Sequence, residues 1–278
     1  MFGSGVRTVM VHCHPPPERG GHPARWRPPG GRGAGARSAA GGGCEDGRAG
    51  RSPRPRIRPL PTEDTVTALP LDPDAVLWSA SSADLADRPL LVLLHGYGSH
   101  EGDLFGLSPY LPLGPVVASL RGPIALQGGN AWFPIVAGSR GDPDPDAADA
   151  AAQGVLDWLD ALPVPPRSVG LLGFSQGGAT ALQLLRLAPG RFSYAVQLSG
   201  FSVRGEHAGD AANAAAPTPV FWGRGTADQV IPDEAVARTA AWISDHGALT
   251  ERIYEDLPHS VSAAELRDVS AFIREHAG

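Results

Sequence analysis

From about residue 63 to the C-terminus the sequence predicts an α/β fold, a doubly wound and mostly parallel sheet flanked by helices. Apolar runs without alternation, such as Pro89-Leu90-Leu91-Val92-Leu93-Leu94, suit strands buried on both faces of a parallel sheet. Between them lie stretches with apolar residues at helical spacing, and strands alternating with helices argue a doubly wound sheet. A break in composition separates this part from what precedes it. Residues 1–60 hold 11 arginines against 3 acidic residues, about +8, leaving 12 basic and 26 acidic residues, about −14, for the remainder.

Taken in order, Ala75 to Ser79 is a first short strand and residues 89–94 a second. Pro115 to Leu120 repeats the theme more weakly. Ala147 to Leu162 is helical, with Val155, Trp158, Leu159 and Leu162 on one face. Ser168 to Leu172 is a buried strand, and the helix after it, Ala179 to Ala188, stops at Pro189-Gly190. Tyr194 to Leu198 and Thr218 to Trp222 are further strands. Pro232 suits the first position of a helix carrying Val236, Ala240 and Ile243. Leu249 to Tyr254 is the last strand. Ser262-Ala263-Ala264-Glu265 then forms a capping box for a final helix whose Leu266, Val269, Phe272 and Ile273 face inward.

Residues 1–62 have a different character. Pro15-Pro16-Pro17, Pro28-Pro29, Gly41-Gly42-Gly43 and the run Arg51 to Arg58 leave too little apolar surface to offset the entropy of ordering. A disordered Arg/Pro/Gly-rich extension is expected there, upstream of a single folded domain at 63–278. Its start has no apolar core of a secretory signal, and no run approaches a membrane span. An organelle transit peptide or a nucleic-acid arm would share its Arg-rich, acid-poor composition; an upstream extension is the simpler reading, and no nucleic-acid partner is expected. Both cysteines, Cys13 and Cys44, fall in this segment, so the folded part has no thiolate metal site or disulfide framework. His12-Cys13-His14 with His22 matches no established metal spacing, and no metal is expected.

The chemistry centres on Gly173-Phe174-Ser175-Gln176-Gly177-Gly178. In a chain with 36 glycines a G-x-S-x-G pattern carries little alone, but here a strand precedes it and a helix follows, the setting of a nucleophile elbow. A serine nucleophile needs a base to take its proton and an acid to hold that base. His259 and Asp228 lie on loops after later strands, in the order serine, acid, histidine. Asp233, at a helix start, and Asp210, in an Ala/Gly-rich loop with no clear strand before it, are the weaker acids. An oxyanion hole needs two backbone N–H groups. Gln176 follows the nucleophile, and Tyr97 lies in the loop His95-Gly96-Tyr97-Gly98 after the strand 89–94. The glycines of that loop lack the third member of a dinucleotide fingerprint, since Glu101 stands in its place, and the chain has no lysine for a Walker-type phosphate loop.

At these positions the chain resembles the phospholipase/carboxylesterase family, relatives of the acyl-protein thioesterases. Leu94-His95-Gly96-Tyr97-Gly98-Ser99, Glu101-Gly102-Asp103-Leu104, Gly128-Gly129-Asn130-Ala131-Trp132-Phe133, the elbow, Leu198-Ser199-Gly200-Phe201, Asp228-Gln229-Val230-Ile231-Pro232 and His259-Ser260-Val261-Ser262 all fit, in family order. The resemblance implies a single α/β-hydrolase domain using Ser175, Asp228 and His259 on short- to medium-chain carboxylic esters or thioesters. It implies Trp132, Phe133 and Val230 at the substrate. It implies a soluble, cytoplasmic, cofactor-free enzyme with a small-molecule ester substrate, and leaves a homodimer open. The chain departs from the family at Pro134, where relatives often carry an acidic residue, and in Asp142-Pro143-Asp144-Pro145-Asp146, an approach to a helix that lacks the glycine and glutamate of a calcium loop. Thioesterase and lysophospholipase activities are the alternatives within the class. A non-catalytic binding protein on the same fold is the alternative outside it.

Overall fold

The computed structural model describes Thr8–Val9 and residues 67–136 and 139–278. Its main sheet has seven strands: β1 Leu77–Trp78, β2 Leu90–Leu94, β3 Val116–Leu120, β4 Val169–Phe174, β5 Tyr194–Leu198, β6 Thr218–Gly225 and β7 Gly247–Tyr254. The order across the sheet is β1-β3-β2-β4-β5-β6-β7. β1 runs antiparallel to β3, and every other pairing is parallel. The strands β2 to β5 are buried along their whole length, which is why they read as unbroken apolar runs.

Alternate residues of each strand feed two cores, one on each face of the sheet. Leu90, Val92 and Leu94 pack with α2 (Pro145–Asp160), α3 (Gln176–Leu187) and α5 (Asp233–His246). Leu91 and Leu93 pack on the other face with Leu104 of α1 (Glu101–Phe105) and with Leu266, Val269, Phe272 and Ile273 of α6 (Ala263–His276). A short α4 (Asp210–Ala215) lies between β5 and β6 in sequence. The expected capping box is present: Ser262 Oγ accepts from Glu265 N–H, and the Glu265 carboxyl accepts from Ser262 N–H.

Several boundaries differ from the sequence reading. The first strand is only Leu77–Trp78, because Pro73–Ala75 turn as a 3₁₀ helix capped by Asp72. Pro232 caps α5 rather than opening it, and α3 begins at Gln176, directly after the serine. Asp210, read as a loop residue, begins α4. The expectation of disorder for 1–62 falls outside the described residues except at Thr8–Val9. These two β-branched residues form a strand antiparallel to Val261–Ser262. Among the described residues no helix is long and apolar enough to cross a membrane.

Sheet order places the site. β2 lies between β3 and β4, so the chain crosses from one side of β2 to the other between β3 and β4. The chain leaving β2 continues to α1 on one face of the sheet and the chain leaving β4 to α3 on the other, a switch point beside which ligands usually lie in such sheets.

Candidate active site

Ser175 stands between β4 and α3 with φ 54° and ψ −117°, a backbone state that costs of order 1–3 kcal/mol and persists only when its surroundings impose it. The surroundings here are backbone. A Cβ on Gly177 would lie 1.9 Å from the Leu94 carbonyl oxygen, and one on Gly173 would lie 2.2 Å from that of Gly177. Glycine at both positions lets the elbow press against the loop leaving β2. Ser175 N–H donates to Leu198 O at 2.8 Å, tying the elbow to β5 as well.

The loops after β6 and β7 bring Asp228 and His259 to this serine. His259 Nδ1 is 2.7 Å from Asp228 Oδ2, and its Nε2 is 2.9 Å from Ser175 Oγ. A carboxylate can only accept, so Nδ1 carries a proton and the neutral ring offers Nε2 to the serine hydroxyl. The side chains of His259 and Asp228 are 5% and 8% exposed. Burial opposes the charge on Asp228, but the bond from His259 and those from the Val230 and Ile231 amides outweigh it and hold its pKa below the usual carboxylate range. The ring of His259 also packs on Phe174, with centroids 4.8 Å apart. Asp210, the rival acid, is committed elsewhere. It receives Arg186 Nε at 2.9 Å, Arg186 Nη2 at 2.7 Å and Trp242 Nε1 at 3.1 Å.

Tyr97 and Gln176 both line the cleft beside Ser175. Neither main-chain N–H has an acceptor among the described residues, whereas the next amide, Gly98 N–H, donates to Asn130 O at 2.9 Å. The loop bearing Tyr97 is braced by His95, whose part the sequence did not reveal. His95 is buried; its Nδ1–H donates to Gly96 O at 2.7 Å, and its Nε2 accepts from Gly122 N–H at 2.9 Å. Burial pushes its pKa down to about 4, so it stays neutral and holds one tautomer.

Trp132 was expected at the substrate. It is instead fully buried and absent from the cleft wall, and its indole N–H donates to His95 O at 2.8 Å. The Gln176 side chain completes the brace, accepting from Trp132 N–H at 2.9 Å and donating to Phe133 O at 2.7 Å. Phe133 and Val230 do line the cleft, a space of about 860 Å³ open to solvent. Phe201, Ile231, Pro134, Ile135 and Ser139 to Gly141 supply walls that the sequence reading had not assigned. Their signal was faint: within 134–146 only Pro134 and Asp142 to Asp146 stood out, as departures from the family pattern, and Phe201 and Ile231 stood only as members of matching blocks.

The sheet, the elbow and the loops around it define an α/β-hydrolase. More narrowly, the chain belongs to the phospholipase/carboxylesterase family, whose profile matches residues 79–277, and so to a class of ester-hydrolysing enzymes. A protein named a probable carboxylesterase from Oryza sativa subsp. japonica is 30% identical over 153 residues, covering 52% of this chain and 58% of that relative. Acyl-protein thioesterase 1 of Saccharomyces cerevisiae is 25% identical, with 68% of this chain and 92% of that protein covered. A carboxylesterase crystal structure from Mesorhizobium loti shares the fold, with a TM-score of 0.60 at 22% identity over 74% of this chain and 98% of that one.

Proposed function

We propose that residues 63–278 form a serine esterase that cleaves short- to medium-chain carboxylic esters through an acyl-enzyme. One observation carries this reading: a single imidazole lies within hydrogen-bond distance of both the Ser175 hydroxyl and the Asp228 carboxylate. His259 Nε2 takes the hydroxyl proton as Ser175 Oγ attacks the acyl carbonyl. The carbonyl oxygen becomes an oxyanion, received by the unengaged amides of Tyr97 and Gln176. His259 then gives its proton to the departing alcohol, and later draws one from the water that attacks the acyl-enzyme. Asp228 keeps the ring in the required tautomer and stabilises the imidazolium between these transfers. The apolar walls at Phe133, Phe201 and Val230 suit an acyl chain of modest length.

The test is Ser175→Ala in the full chain. Turnover of 4-nitrophenyl butyrate is expected to fall at least about 10⁴-fold with the circular dichroism spectrum retained. Activity within a few-fold of the parent would reject the assignment. A thioester substrate is the second reading, favoured by the coverage of the yeast protein named a thioesterase. Butyryl-thiocholine set against butyryl-choline distinguishes the two.

A further inference from the structure

The cleft beside Ser175 is apolar on most sides, and Arg140 brings a cation to its wall. Arg140 is exposed and has no hydrogen-bond or ion-pair partner among the described residues. Its neighbours, by contrast, are engaged. Asp142, the nearest carboxylate in sequence, pairs with Arg204. Arg238 donates to Gly141 O and, at 2.9 Å, to Ser202 O. Asp144 caps α2 by accepting from Asp146 N–H at 3.1 Å.

The turn that carries Arg140 is also fixed. Ser139 N–H donates to Val136 O, and Asp142 N–H donates to Ser139 O, each at 3.0 Å. Gly141 has φ 69°, and a Cβ there would lie 2.8 Å from Ala235 Cβ and 3.1 Å from Pro232 Cδ, so the turn is pressed onto the start of α5. The backbone at Ser139 to Asp142 is therefore anchored at the cleft wall, and the Arg140 side chain it carries has no partner among the described residues, in a part of the chain carrying about −14. A guanidinium without a protein partner is free to pair with the two oxygens of a carboxylate or phosphate.

Resting on the serine-esterase reading, we infer that the substrates are esters bearing an anionic group, and that Arg140 selects them by pairing with that group. The anion can belong to the acyl part or to the alcohol part, and two matched pairs of substrates separate these. Ethyl hydrogen glutarate against ethyl valerate places the charge on the acyl side. 1-Butyryl-glycerol 3-phosphate against 1-butyryl-glycerol places it on the alcohol side.

With the full chain followed by pH-stat, one pair is expected to show a kcat/KM at least about tenfold higher for its anionic member. In Arg140→Gln that ratio should drop about tenfold, chiefly through KM. The pair that responds identifies the side bearing the charge. Ser175-dependent hydrolysis of the neutral esters, with neither ratio altered by Arg140→Gln, would overturn the assignment of Arg140. Absence of hydrolysis of all four esters and of 4-nitrophenyl butyrate would instead overturn the esterase reading, and this inference with it.

Discussion

His95 makes no expected contact with a reacting atom, yet its two ring nitrogens set the bend that carries Tyr97. Removing the ring leaves Gly122 N–H buried without its acceptor, a loss of about 1–3 kcal/mol. His95→Ala is therefore expected to lower the melting temperature by several degrees and kcat by about tenfold or more, as the Tyr97 amide loses its aim. Calorimetry and steady-state kinetics on the same sample check both. Unchanged kcat would mean that the loop keeps its shape without the histidine. At this scale the convergence of Ser175, Asp228 and His259 was legible because an elbow and an order of loops constrain where they fall. His95 was not, because its partners are the main-chain groups of Gly96 and Gly122, which leave no side-chain signature in the sequence. Trp132 was misread for a related reason. Adjacent residues 132 and 133 diverge, one into the core beneath His95 and the other to the cleft, and only the three-dimensional neighbourhood decides which.

Among the elements, α6 is the one whose start bears on the site, since its N-cap Ser262 follows His259 by three residues. Its capping residue Glu265 is fully buried, close to Gly223 of β6, with Oε1 lacking a hydrogen-bond partner. Burial first, and Asp268 besides, push its pKa up to about 8 against the opposing bond from Ser262 N–H. Asp268 itself receives Tyr254 O–H at 2.8 Å from β7. The folded protein thus keeps a proton on Glu265 that the unfolded chain releases near pH 4.5. Stability from this group is complete below about pH 4.5 and declines as pH rises to about 8. Glu265→Gln keeps the cap acceptor and removes the titration. The variant is expected to melt higher than the parent at pH 8.5, with the advantage shrinking toward pH 5. Parallel melting curves across that range would exclude a protonated Glu265. The capping box, the capped helix and the buried strands were legible because each has its own local pattern. The ends of β1, α3 and α5 were not, since turns and caps move them by one to three residues with little change in hydrophobic pattern.

Across the whole molecule, the order of the strands turns a scattered set of residues into a site. Because the sheet changes direction at β2, the loops bearing Tyr97 and Ser175 adjoin, while β6 and β7 extend the same edge to deliver Asp228 and His259. The alternation of strand and helix made this architecture readable in the sequence. The cleft was less readable, because its walls come from six separate stretches from Tyr97 to His259, with 133–143 taken as one. Mass-spectrometric mapping of the full chain after reaction with a fluorophosphonate probe tests Ser175 as the activated nucleophile most directly. A single adduct on Ser175 is expected, forming at least about 10³-fold more slowly in His259→Ala. Labelling at another residue, or active enzyme left unmodified at Ser175, would contradict it.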